Sequence, residues 1–101
     1  MNEQFLNWAK ENEDNILKQG ISSEIPDFKK SIKEKKLINP CQTVYYNSDN
    51  KIGSVSVWKS GCMDIEIIDC DTEEVEYCKH FNDENSIDFN SRLKEFFNKM
   101  D

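Results

Sequence analysis

The sequence predicts an α+β domain, a four-stranded antiparallel meander with N- and C-terminal helices packed on one face. Three observations predict it. The run Ile52–Cys70 (IGSVSVWKSGCMDIEIIDC) alternates apolar and polar residues, turns at Ser60-Gly61 and alternates again. That is the pattern of two half-buried strands joined as a hairpin. Shorter alternating runs flank it at Cys41–Ser48 and Glu74–Phe81, with turn residues between. At both ends of the chain the apolar spacing changes to that of a helix. Consecutive strands joined by short turns form a meander most simply, and two helices can cover its apolar face.

Residues 2–19 read as the first helix. Phe5, Trp8, Ala9 and Ile16 make its stripe, with Leu17 at the margin and Glu3, Lys10, Glu11, Glu13 and Asp14 around the rest. Gly20 suits the position just past the helix end, and Trp8 is expected as a core anchor. Residues 21–40 do not resolve into one element. Ser22, Ser23 and Glu24 suit the start of a short helix with Pro26 in its first turn; Phe28 and Ile32, four apart, can face inward together. Lys29, Lys30, Lys33, Lys35 and Lys36 make a basic run against Glu34 alone. It lacks the arginines and interleaved aromatics of a nucleic-acid site, so a solvated face is expected. Asn39-Pro40 breaks any helix and leads into a strand.

In the first strand Val44 and Tyr46 face one side and Thr43 and Tyr45 the other; alternation alone does not choose between them. In the hairpin, Val55, Val57, Met63, Ile65 and Ile67 are the expected buried face. Ser54, Ser56, Trp58, Asp64 and Glu66 are the expected open face. In the last strand Val75, Tyr77, Lys79 and Phe81 should share one face, and Glu74, Glu76, Cys78 and His80 the other. A helix from Ile87 to Met100 follows, capped by Ser86 or Asn85, with Phe89, Leu93, Phe96, Phe97 and Met100 as a core stripe.

At 101 residues the chain is expected to be a single domain over 1–101 with one modest core. Its formal net charge of −7 repels nucleic acid and anionic membrane and attracts basic protein surfaces. The charge is uneven: Asp64 to Glu84 holds nine acidic residues, with Lys79 the one formal cation. No run approaches the roughly 18 apolar residues of a membrane span, and MNEQFLNWAKENED lacks an export pattern. A soluble, cytoplasmic protein with reduced Cys41, Cys62, Cys70 and Cys78 is therefore expected. Trp58 among short polar and acidic side chains has the make-up of a binding hot spot; a Trp covered by a loop or by the first helix is the equal alternative.

Catalytic chemistry finds no home in the pattern. Cys62, Cys70 and Cys78 stand eight apart with His80 after them, unlike the paired close spacing of a zinc site. A Cys78–His80 dyad would lack a pocket and an oxyanion hole, and no Gly-rich phosphate loop is present. No catalytic residue, metal or cofactor is expected, and the chain is read as not an enzyme.

Gly53, Trp58, Ser60, Gly61, Asp64, Glu66 and Ile67 form a glycine-led strand, a Trp-x-Ser-Gly turn and an acidic-apolar strand. With the order of elements around it, this segment resembles the TriTu family of immunity proteins, which accompany bacterial toxins of the polymorphic or contact-dependent kind. The lysine-rich run from Lys29 to Lys36 adds nothing to the match. The resemblance implies a cytoplasmic protein that binds and neutralises a cognate toxin domain, with neither nucleic acid nor membrane as partner. Occlusion of a basic toxin surface would use Trp58 as anchor and Asp64, Glu66, Glu74 and Glu76 as charge partners. Two other classes stand beside this one: a small carboxylate- or Cys/His-dependent enzyme, and an acidic adaptor protein.

Overall fold

The computed structural model describes residues 2–25, 41–82 and 88–100. Strands β1 (Ser22–Glu24), β2 (Cys41–Asn47), β3 (Lys51–Trp58), β4 (Met63–Asp69) and β5 (Val75–Phe81) lie in sequential order in one sheet. Every neighbouring pair is antiparallel. Helices α1 (Asn2–Leu17), α2 (Phe89–Arg92) and α3 (Lys94–Met100) complete the described architecture. The α+β meander is therefore the one expected, with one strand more.

The extra strand is β1, at residues that suited a helix start. Gly20 adopts φ +85 and ends α1. Ile21 is then fully buried and sets the chain down beside β2, with Ser22 opposite Asn47 and Glu24 opposite Tyr45. Backbone pairing makes this strand, which is why Ser-Ser-Glu shows no apolar alternation. Pro26, Phe28, Ile32, the lysines from Lys29 to Lys36 and Asn39-Pro40 lie outside the described residues.

One face of the sheet carries the apolar layer, with buried Gln42 in the same phase of β2 and Lys51 and Lys79 toward its margins. Val44, Tyr46, Val55, Val57, Met63, Ile65 and Ile67 are buried beneath Phe5, Ala9, Ile16, Phe89, Leu93, Phe96 and Met100 from the helices. At about 1.5–3 kcal/mol for each large apolar side chain, this layer is the main source of stability. It settles which side of β2 is inward. Tyr46 meets Phe96 and Phe97 edge-on at ring distances of 5.8 and 5.0 Å, while Tyr45 stays exposed. The helices meet through aromatic rings: Trp8 lies 6.0 Å from Phe89 and 6.1 Å from Phe97. The Trp8 indole N–H donates to Asn90 Oδ1 at 3.1 Å. Trp8 is thus a half-buried clamp between the two ends of the chain. Leu17 lies off the stripe and is exposed.

The C-terminal apolar run is interrupted at Leu93 (φ −96, ψ 1), so two short helices replace one. Asp88 supplies the cap, accepting from the backbone N–H of Asn90 at 3.1 Å and of Ser91 at 3.4 Å. Ser86, Asn85 and Ile87 lie outside the described residues. Bonds from Leu93 N to Phe89 O and from Phe97 N to Leu93 O, both 3.0 Å, span the interruption, and the stripe stays continuous. Where α3 crosses the sheet, Gly53 is required. A Cβ there would stand 2.5 Å from Phe96 Cζ and 2.9 Å from Met100 Sδ.

Candidate functional site

The face of the sheet opposite the helices is built by register. Thr43, Ser56, Asp64 and His80 line up as one row across β2 to β5. Tyr45, Ser54, Glu66 and Cys78 form the next, with Glu24 of β1 beyond Tyr45. Asn47, Ile52, Ile68 and Val75 form the third, and Trp58 opposite Cys41 closes the far end. No lysine or arginine occupies any of these positions.

The first row is hydrogen-bonded. Thr43 Oγ1 and Ser56 Oγ are 2.8 Å apart. Asp64 Oδ1 bonds His80 Nδ1, and Asn82 Oδ1 bonds His80 Nε2. With an acceptor at each ring nitrogen the imidazolium is favoured, and the bond to Asp64 foremost raises the His80 pKa above its ordinary value. Burial pushes the Cys41 thiol up.

This row is not a catalytic relay. A Ser-His-Asp relay needs the imidazole between hydroxyl and carboxylate; here Asp64 stands between Ser56 and His80. Both His80 nitrogens are engaged, so neither is poised to take a proton from Cys78. Among the described residues no group of three or more His, Cys, Asp or Glu is placed to hold a metal ion. The four cysteines are not disulfide-bonded. A cleft of about 310 Å³ between β5 and the C-terminal helices has its lysine and glutamate paired, Lys79 Nζ to Glu95 Oε2 at 3.3 Å. That contact raises the Lys79 pKa and lowers that of Glu95. Arg92 stacks on the Phe81 ring at 4.1 Å.

The residues singled out in the sequence divide between places. Asp64 and Glu66 lie on the open face. Trp58, at its end, is half-buried. Its turn is closed by Trp58 N–H donating to Cys62 O at 2.9 Å and Gly61 N–H to Trp58 O at 3.0 Å, with Gly61 at φ +97. Glu74 lies in the turn before β5 and is exposed; its carbonyl accepts from Asp69 N–H at 3.0 Å. Glu76 departs from the expected face. A register shift between Ile67 and Ile68 breaks the period-two count, and Glu76 Oε2 reaches Lys51 Nζ at 3.1 Å. Lys51 alternates in phase with Gly53 and Val55 and donates to Lys99 O in α3 at 2.7 Å, so this pair lies on the helix side. The same shift places Val75 opposite Ile68 instead of beneath the helices, 55% exposed.

The open face also carries apolar members outside the expected set. Tyr45 is 42%, Ile52 44% and Val75 55% exposed, and Ile68 lies between Ile52 and Val75. Ile52 and Ile68 are visible as apolar residues in the polar phase of their strands. Tyr45 needed the choice of buried face in β2, and Val75 needed the bulge.

The family model described as "Immunity protein TriTu" matches residues 3–99. Comparison with curated proteins and with solved structures yields no significant match in either case. No helix among the described residues is long and apolar enough to cross a membrane.

Proposed function

The chain belongs to the TriTu family of immunity proteins, and from that premise we propose that it binds a cognate bacterial toxin domain and neutralises it by one-to-one occlusion in the cytoplasm. The observation that carries the mechanism is the acidic open face, which has no lysine or arginine among its described strand positions. Glu24, Asp64 and Glu66 occupy it with no lysine or arginine at the neighbouring strand positions. Such a surface steers a basic partner toward it and penalises acidic ones. Trp58 at the rim supplies aromatic area beside the carboxylates, and Glu74 extends the acidic field past the β4–β5 turn. Glu76 contributes to the field less directly, since Lys51 neutralises it. Occlusion asks for a rigid surface and no turnover, so the chain is read as a binder and not as an enzyme.

The test is to identify a toxin domain encoded next to the gene for this chain, co-purify the two, and titrate the toxin's activity. Loss of activity at an equimolar ratio is expected. A stable complex with undiminished toxin activity would make the chain an adaptor instead, and turnover by the isolated chain would make it an enzyme.

A further inference from the structure

Among the described residues, three of the four large hydrophobic side chains left exposed, Tyr45, Ile52 and Val75, gather at one corner of the open face; the fourth, Leu17, is on α1. Ile52, Ile68 and Val75 are consecutive cross-strand partners, so their side chains adjoin at the spacing of neighbouring strands, about 5 Å. Tyr45 stands diagonal to Ile52, across from Ser54. Contiguous exposed aliphatic area of this kind marks a contact surface, whereas isolated exposed hydrophobics do not. The core does not need this corner, since its apolar layer lies on the opposite side of the sheet.

We propose that this corner is the affinity anchor for the toxin domain, receiving an apolar side chain that projects from a lysine- and arginine-rich toxin surface. The inference rests on the immunity reading above and names the part of the surface that holds the complex together. Charge complementarity fixes the chemistry of the occupant. Glu66 is the next open-face residue along β4 from Ile68, and Glu24 pairs with Tyr45, so among the described open-face strand positions the corner is bordered by carboxylates and by no lysine or arginine. An apolar projection ringed by basic side chains satisfies both parts. Trp58 lies six residues along β3 from Ile52, about 20 Å away in an extended strand, which fits within a standard interface of roughly 800 Å² per partner. The two apolar ends then hold the complex, and the acidic rows between them guide its formation.

The two contributions separate kinetically. Ile52→Thr/Val75→Thr keeps β-branching and net charge while removing aliphatic surface. With the toxin domain encoded beside this chain as the probe, this variant should bind at least tenfold more weakly. Its association rate should be unchanged, and the loss should fall in the dissociation rate. Glu66→Gln should slow association and flatten its salt dependence. Circular dichroism and the denaturation midpoint establish that each variant is folded; if the double variant is not, Ile52→Thr alone carries the test. Dissociation within twofold of the parent in a folded variant would overturn the proposal. So would a parent chain that self-associates through the corner, seen as a dimer in light scattering that Ile52→Thr dissolves. Failure of the parent chain to inhibit the toxin would instead overturn the immunity reading and the anchor with it.

Discussion

The two faces of the sheet handle charge in opposite ways. On the helix side, Lys51 is closed by Glu76 and by the Lys99 carbonyl, and Lys79 is closed by Glu95. On the open side Asp64 has His80, while Glu66 makes no ion pair among the described residues. One side settles its charges within the molecule, where they brace strands against helices. The other leaves carboxylates facing outward beside exposed Ile52 and Val75. Stability should therefore reside on the first side and recognition on the second, and mutations can separate them.

The largest expected effect comes from the helix side. Phe96→Ala removes the ring that fills the space over Gly53 and should cost about 3–5 kcal/mol in denaturant unfolding. Gly53→Ala drives a methyl into that ring and should cost about 1–3 kcal/mol; pairing it with Phe96→Leu should recover part of the loss, measured as a double-mutant cycle. Tyr46 offers the opposite sign. Its hydroxyl is buried without a hydrogen-bond partner among the described residues, and burial raises its pKa above the usual tyrosine range. Tyr46→Phe should raise the unfolding free energy by about 1 kcal/mol. On the open face, Glu66→Gln should change stability by less than about 0.5 kcal/mol while slowing association with the toxin. A change of more than 1 kcal/mol there would show that the open face also holds the fold together.

The smallest effect is one of pH. The His80 pKa is raised in the fold, so its contribution to stability is complete below the unfolded value, near 6.5. It is lost as pH rises through the raised folded value. NMR titration of the imidazole should show the elevation, and Asp64→Asn should remove most of it. Protonation also places a cation on the acidic face, so affinity for a basic partner should rise as His80 loses its proton.

Much of this was legible in the sequence because one physical rule covered it. Val55, Val57, Met63, Ile65 and Ile67 follow period two without interruption, and Phe89, Leu93, Phe96 and Met100 follow helical spacing across the break at Leu93. What was illegible depended on backbone geometry or on partners distant in the chain. Ser22–Glu24 carries no side-chain pattern, since β1 follows from Ile21 being buried after the turn at Gly20. Tyr45 and Tyr46 look alike until Phe96 and Phe97 choose one of them. The bulge at Ile67/Ile68 exchanges the expected places of Val75 and Glu76, moving a carboxylate off the candidate surface and an aliphatic side chain onto it. The TriTu-like residues carry a related lesson. Gly53 admits Phe96 and Gly61 accommodates φ +97, so both serve the fold; Asp64 and Glu66 face outward.

The two tryptophans stand on opposite sides of this division, and that makes the protein its own optical instrument. Trp8 is stacked in the aromatic seam between α1 and the C-terminal helices, so its emission reports whether the ends of the chain are docked. Trp58 sits half-exposed at the end of the open face, so its emission should respond to a partner docked there if the proposed surface is the one used. In Trp58→Phe the remaining indole emission should follow unfolding, and in Trp8→Phe it should change both on unfolding and on docking at the proposed surface, with no label attached to either.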